Sequence, residues 1–100
     1  METYSYSASK AAVHHMTRVL AAELGPRHIT VNAVAPGPFP SRMMAATLAG
    51  RGAEIAGMTA LGRIGRDDDM AGVAVYLASR AGSYVTGAVI PVDGGMWAAT

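Results

Sequence analysis

The stretch ITVNAVAPG, residues 29–37, decides the fold that the sequence predicts. Apart from Asn32, residues 29–35 are apolar on both faces and rich in β-branched side chains. A strand with two apolar faces is typical of the buried strands of a parallel sheet. Pro36 and Gly37 then interrupt the pattern. We therefore predict a parallel strand over residues 29–35, followed by a sharp turn.

Upstream of this strand, residues 3–24 are predicted to form a helix. Pro26 cannot continue that helix, and Gly25 is predicted to end it in the left-handed conformation. The apolar side chains that recur at helical spacing are Val13, Met16, Val19 or Leu20, and Leu24.

Downstream, a segment rich in Met, Ala and Gly over residues 41–62 is predicted to hold one or two short helices. Residues 67–80, DDDMAGVAVYLASR, are predicted to form a longer helix, whose acidic start suits the positive end of the helix dipole. Residues 88–92, AVIPV, are predicted to form a second strand. This order indicates an α/β layer of neighbouring parallel strands, with a right-handed crossover through residues 67–79.

Two parallel strands are too few to make a sheet that buries both of its faces. The chain has 100 residues, of which 51% are hydrophobic and 15% charged, whereas a small domain needs a larger polar surface. Residues 1–100 are therefore predicted to be the C-terminal part of one larger α/β domain.

Charge and residue types exclude several classes of function. A net charge of +1 gives no basis for binding nucleic acid or an anionic membrane, and every apolar run is too short to span a bilayer. The chain has no cysteine, and hence no disulfide or thiolate metal site. This composition fits a reducing compartment, so a cytoplasmic location is expected.

The segment YSYSASK, residues 4–10, contains the only lysine of the chain, Lys10, four residues after Tyr6. Residues at this spacing lie on one face of a helix. A phenol has a pKa of about 10 in water, and a neighbouring ammonium lowers that pKa toward the range useful for proton transfer. Tyr6 and Lys10 are therefore a candidate general acid/base pair. The spacing alone is also compatible with an ordinary Tyr–Lys pair on a solvated helix face.

Four motifs, in this order, resemble those of the short-chain dehydrogenase/reductase family: YSASKAAV, ITVNAVAPG, GRIGRDDDMAGVAVYLAS and YVTGAVIPVDGG. The resemblance extends from Tyr6 to Gly95. It implies a Rossmann-type, doubly wound parallel sheet and hydride transfer between NAD or NADP and a carbonyl or alcohol. It also implies that Tyr6 is the catalytic acid/base, and that Lys10 lowers the pKa of Tyr6 and binds the nicotinamide ribose.

The loop PGPFPS, residues 36–41, follows the first predicted strand. Ligands of open α/β sheets bind beyond the carboxyl ends of the strands, and Gly37 would let a ligand approach the backbone closely. The resemblance implies that Pro36, Gly37, Phe39 and Ser41 hold the nicotinamide carboxamide, with Phe39 at an aliphatic position of the family and Ser41 at a Thr position. The alternative is a rigid turn that only ends the strand.

Other candidate sites are weaker. The adjacent His14 and His15 point about 100° apart on a helix and cannot share a metal. The acidic run over residues 67–69 is interpreted as a helix start, and no metal site is predicted. Gly50 and Gly52 lack the preceding strand of a phosphate-binding loop. A further apolar set could line a substrate pocket or be ordinary core: Met43, Met44, Leu48, Ile55, Met58 and Leu61.

The family's Gly-rich dinucleotide fingerprint and its catalytic serine strand are absent from these residues. The chain alone is therefore expected to bind dinucleotide weakly and to be inactive. The loop is similar to that of 3-oxoacyl reductases and polyol dehydrogenases, and the resemblance implies a homodimer or homotetramer. The alternative function is a non-catalytic self-association module derived from such an enzyme.

Overall fold

A computed structural model describes residues 2–41 and 45–96, without the side chains of residues 2–6 and 47. Two short 3-10 turns, Gly25–Arg27 and Arg80–Gly82, accompany the regular elements. In chain order those elements are helix α1 (Glu2–Leu24), strand β1 (Ala33–Pro36), helix α2 (Ala45–Gly57), helix α3 (Asp67–Ala78) and strand β2 (Val89–Val92).

The two strands pair as neighbours in a parallel sheet. The amide of Ala33 donates to the carbonyl of Ala88 at 2.9 Å, and the amide of Gly37 donates to the carbonyl of Val92 at 3.0 Å. Donor and acceptor advance together along the two strands, as parallel pairing requires. The predicted parallel neighbours are confirmed, and the right-handed crossover stays a prediction.

Strand β1 begins at Ala33, so the predicted start at residue 29 is wrong. The side chain of Asn32 takes over the bonding at this level: its amide donates to Val85 O at 3.0 Å, and its Oδ1 accepts from Ala88 N at 3.0 Å. A side-chain oxygen thus takes the place of a backbone acceptor for the amide of Ala88, and the regular strand starts at the next residue.

The left-handed residue after α1 is His28, with φ 61°, and not Gly25 as predicted. Gly25 opens the 3-10 turn, and its carbonyl accepts from the amide of His28 at 2.9 Å. Pro26 fits the first turn of that short helix because its missing amide would have had no partner there. The chain therefore reverses three residues later than the sequence indicated.

The packed face of α1 is built from small residues. Thr17 and Ala21 are each only 6% exposed, while Lys10, His14 and Leu24 are half-buried. These five positions follow the helical repeat and form one stripe. Lys10 therefore lies on the inward face of the helix.

Of the apolar residues that predicted α1, Leu24 belongs to that stripe, whereas Val13, Met16 and Val19 lie outside it. Val13, Met16 and Val19 are 52%, 56% and 48% exposed. Their spacing identified the helix correctly but did not identify the face that packs within this chain. A second apolar face of α1 is thus open among the described residues.

Helix α2 contains a break at Arg51, where φ is −134°, so two short helical pieces follow each other as predicted. Helix α3 matches the predicted helix to within two residues. Its half-buried face includes Met70, Val73 and Leu77. None of the described helices is both long and apolar enough to cross a membrane.

Strand β2 carries an exposed proline, Pro91. The carbonyls of Ala88 and Val92 accept bonds from β1. Residues 89 and 91, which alternate with them, therefore direct their backbone groups to the opposite edge of β2. Pro91 occupies one of these alternate positions and has no N–H.

The chain divides into two compact units. The first consists of Met1–Val34 and Leu77–Ile90, and the second of Ala35–Tyr76 and Pro91–Thr100. The two strands and α3 each pass from one unit into the other.

Candidate active site

Tyr6 and Lys10 lie in the first unit, on the N-terminal half of α1. Both belong to one uninterrupted helix, so their positions fall on the same face, one turn apart. That face continues into the inward stripe through His14, and Lys10 itself is half-buried. The side chain of Tyr6 lies outside the described part of the structure, and its catalytic role stays a prediction.

The C-terminal half of α1 fixes the helix within the first unit. The buried hydroxyl of Thr17 donates to the carbonyl of Val13 at 2.8 Å, so burial leaves it bonded. Ala21 faces Gly87, where an added Cβ would lie 3.4 Å from the Ala21 methyl group. Gly87 also has φ 74°, a conformation that favours glycine. Small residues on both sides therefore allow the helix to pack closely.

The loop after β1, residues 36–41, belongs to the second unit. An ideal Cβ on Gly37 would lie 2.5 Å from Asp93 Cβ and 2.7 Å from Asp93 Cα. The turn after β2 therefore requires glycine at this position. The reason predicted for Gly37 was a different one, the close approach of a ligand to the backbone, and that reason stays a prediction.

Phe39 is held against a second glycine, Gly65. The ring atoms Cε2, Cζ and Cδ2 of Phe39 occupy the place where a Cβ on Gly65 would lie. The backbone of the same residue bonds to the loop, since Gly65 N donates to Pro38 O at 2.9 Å. Sequence reasoning missed Gly65, because its partner lies far away along the chain.

Gly65 sits in a segment that an ion pair fixes to α3. Arg63 Nη1 and Nη2 donate to the two carboxylate oxygens of Asp69 at 2.7 and 3.1 Å. Asp69 Oδ2 also accepts from the amide of Arg66 at 2.8 Å. The bonds from Arg63, followed by the bond from Arg66, lower the pKa of Asp69 to about 2. Asp69 was predicted only as part of a helix start, and its partner reveals a second role.

A buried threonine shapes the beginning of the same segment. Thr59 is 6% exposed, and its Oγ1 donates to Ala56 O at 2.8 Å and accepts from Arg63 N at 3.1 Å. Nearby, Leu61 N donates to Gly94 O at 2.9 Å. The segment is therefore bonded both to the end of α2 and to the turn after β2.

Phe39 lines two grooves in the second unit. The larger, of about 570 Å³, runs along residues 36–41 and is walled by the first turns of α3, including Met70 and Ala74. The smaller, of about 430 Å³, is lined by Phe39, Arg63 and the turn after β2, among others. One side of the predicted cofactor loop is therefore accessible from the larger groove.

The predicted apolar set does not form one wall. Ile55 is buried at 8% exposure, whereas Met58 and Leu61 are 48% and 68% exposed. Met43 and Met44 lie outside the described residues. Ile55 is therefore core, and a substrate pocket formed by the others stays a prediction. Within residues 2–41 and 45–96, no cluster of His, Cys, Asp or Glu could hold a metal ion.

Comparison with known proteins identifies the family. A family model described as enoyl-(acyl carrier protein) reductase matches residues 1–97. A 3-oxoacyl-(acyl-carrier-protein) reductase of rhamnolipid biosynthesis from Pseudomonas aeruginosa is 48% identical over 97 residues, which cover 94% of this chain and 38% of that protein. Galactitol 2-dehydrogenase from Cereibacter sphaeroides is 48% identical over 96 residues, covering 91% of this chain and 37% of that enzyme.

Solved structures agree with this result. The NADP active-site complex of RhlG from Pseudomonas aeruginosa superposes with a TM-score of 0.83 at 47% identity, covering 93% of this chain and 38% of RhlG. A short-chain dehydrogenase/reductase from Brucella melitensis superposes with a TM-score of 0.83 at 41% identity, covering 91% of this chain and 37% of its own.

The chain thus has part of the Rossmann-type fold of its structural neighbours, as the family resemblance implied. The chain belongs to the short-chain dehydrogenase/reductase family. It spans roughly two fifths of the length of the curated relatives described above, which it covers to 38% and 37%.

Proposed function

We propose that the protein is an NAD(P)-dependent oxidoreductase that transfers hydride between a nicotinamide cofactor and a carbonyl or alcohol. The observation that carries this proposal is the position of Tyr6 and Lys10 one turn apart on α1, in a member of the short-chain dehydrogenase/reductase family. Tyr6 is the acid/base that exchanges a proton with the substrate oxygen. Lys10 favours the charged form of Tyr6 and binds the ribose hydroxyls of the cofactor.

The proposed cofactor is NAD or NADP, which supplies the hydride chemistry when bound. Tyr6, Lys10 and the loop residues Pro36, Gly37, Phe39 and Ser41 are proposed to hold its nicotinamide end. The groove of about 570 Å³ along this loop supports the assignment, because it leaves room for a flat ring beside the loop backbone. The bound NADP of the related RhlG complex supports the same class of cofactor.

The proposed substrates are 3-oxoacyl thioesters or polyols and their ketoses. Two relatives support these classes: the 3-oxoacyl-(acyl-carrier-protein) reductase and galactitol 2-dehydrogenase match this chain at 48% identity each. Both classes of substrate contain a secondary alcohol or its ketone, so the same Tyr6–Lys10 pair could transfer the proton in both cases.

We propose that the complete protein is a homodimer or homotetramer and that the open face of α1 is covered on assembly. The exposure of Val13, Met16 and Val19 supports this, since half-exposed apolar side chains in one helical row are typical of an interface. The same observation favours the alternative function, a self-association module without catalysis. Sedimentation of the complete protein as a monomer at micromolar concentration would exclude both uses of this face.

The proposed activity is tested on the complete protein, by following NADH or NADPH absorbance with a 3-oxoacyl thioester and, separately, with a ketose. We expect turnover with one of these substrates, and its loss in Tyr6→Phe. A protein that binds neither NADH nor NADPH in a fluorescence titration would overturn the function in favour of the module. Residues 1–100 alone are the control, and they should bind the cofactor weakly.

A further inference from the structure

We infer that Gly65 is a positioning residue for the cofactor loop, because it seats the ring of Phe39 and thereby sets the path of residues 36–41. This inference rests on the proposed function, which assigns that loop to the nicotinamide end of the cofactor. Gly65 itself lies outside the loop, in the connection between α2 and α3.

The need for glycine at position 65 comes first from Phe39. The three heavy atoms nearest to an added Cβ all belong to the Phe39 ring. Gly65 does not have a positive φ, so its backbone conformation would accept alanine. Any side chain at position 65 must therefore displace the ring, and no other reason for glycine is found in the backbone.

The position of Gly65 is itself fixed. It lies between Arg63 and Arg66, and both of these residues bond to the carboxylate of Asp69 at the start of α3. Its own amide is bonded to the loop at Pro38. The backbone of Gly65 is therefore held in place by α3 and cannot easily move away from the ring.

The loop has few other ways to move. Prolines alternate with anchored residues: Pro36, Pro38 and Pro40 have fixed φ angles, Gly37 is packed on Asp93, and Phe39 is packed on Gly65. A ring that only rotates about its own side-chain bonds would leave the loop in place, whereas a ring that carries its backbone with it would shift Phe39 and the nearby Ser41. We infer the second outcome, because the prolines limit how the loop can adjust, and both residues are among those that the proposed function assigns to the nicotinamide end.

The test is a double-mutant cycle in the complete protein, with NADPH or NADH affinity from a fluorescence titration as the readout. Gly65→Ala should weaken cofactor binding about 10- to 100-fold, since a displacement on the order of 1 Å has effects of that size. Phe39→Val removes the ring atoms that meet the new methyl group. Gly65→Ala in the Phe39→Val background should therefore leave affinity within about threefold of Phe39→Val alone, because the clash is the only coupling.

Gly72→Ala is the matched control. Gly72 lies on the exposed side of α3, nothing lies within 4 Å of its added Cβ, and cofactor affinity should not change. Unchanged affinity in Gly65→Ala, or an equal loss with and without the Phe39 ring, would overturn the inference. A Gly65→Ala protein that fails to fold even in the Phe39→Val background would overturn it as well. If the unmodified protein does not bind NADH or NADPH, the proposed function fails first and the inference falls with it.

Discussion

Asp93 occupies the space into which a side chain on Gly37 would project, with its own Cα 2.7 Å from the place of the missing Cβ. Gly37 follows β1 and Asp93 follows β2, so the carboxyl ends of the two parallel strands meet backbone to backbone. The amide of Gly37 also donates to Val92 O at 3.0 Å. This contact sets the point at which the proposed cofactor loop leaves the sheet.

Gly37→Ala should destabilise the protein by about 1–3 kcal/mol, the usual effect of an overpacked site. The methyl group meets backbone atoms of Asp93, which cannot rotate away as the end of a side chain could. Urea unfolding of the complete protein measures the change. Gly72→Ala serves as control and should be neutral or stabilising, because it adds a better helix former in open space. Equal stability of the two variants would contradict the packing described.

Asn32→Ala should lower the free energy of unfolding by about 1–3 kcal/mol, because it leaves Val85 O and Ala88 N without their bonds to the Asn32 side chain. Thr86→Val is the comparison. It removes an exposed bond from Val31 N at 3.0 Å, and water can replace that bond. Its effect should be smaller. A larger loss for Thr86→Val would show that the side chain of Asn32 does not define the start of β1.

Asp69 should make stability depend on acid pH. Its folded-state pKa of about 2 lies below the ordinary value of 3.8, so the unfolded chain takes up the proton first as pH falls. The stabilisation by Asp69 is therefore complete above about pH 4 and is lost between about pH 4 and pH 2. Asp69→Asn should remove this part of the pH dependence, and Asp67→Asn should leave it. Urea melts in that pH range provide the measurement, and identical curves for the two variants would contradict the role of the Arg63 pair.

Tyr6→Phe should reduce turnover about 100- to 10,000-fold, the usual contribution of a general acid/base, while cofactor affinity changes little. Tyr4→Phe is the matched control, since Tyr4 has Ala8 and not a lysine four residues later. Steady-state kinetics and a cofactor titration on each variant separate chemistry from binding. Near-normal turnover in Tyr6→Phe would show that Tyr6 is not the catalytic acid/base.

Lys10→Met should damage turnover and cofactor binding together, because it removes both the charge beside Tyr6 and the proposed ribose contact. It should also move the alkaline pH optimum of alcohol oxidation upward, since the phenolate loses a neighbouring cation. Lys10→Arg should rescue these properties only in part, because a planar guanidinium does not replace a compact ammonium. If Lys10→Met lowered turnover alone, the ribose contact would be wrong.

The sequence predicted the element order and the parallel pair because these follow from local periodicity and from the breaks at Pro and Gly. It could not predict that Asn32 would delay β1, since its partners lie more than fifty residues away, at Val85 and Ala88. The sequence also hides the need for glycine at position 65, because it depends on the ring of Phe39, which lies well outside the local segment.

The packed face of α1 shows a second limit. Hydrophobicity favoured Val13, Met16 and Val19, but the face that packs within this chain has Thr17 and Ala21 at its centre. Close packing against Gly87 depends on small size, which a hydrophobic pattern does not measure. The Tyr6–Lys10 pair could be found from spacing, whereas the neighbouring stripe required the structure.

Pro91 has a consequence for how the sheet can grow. An incoming strand at the outer edge of β2 would find no N–H donor at Pro91, because that position faces away from β1 and carries a proline ring. At the other edge of the pair, residues 34 and 36 of β1 face away from β2, since Ala33 and Gly37 direct their amides toward it, and Pro36 likewise has no N–H. Each outer edge of these two described strands therefore lacks one donor, which protects both strands against the edge-to-edge pairing by which exposed sheets aggregate.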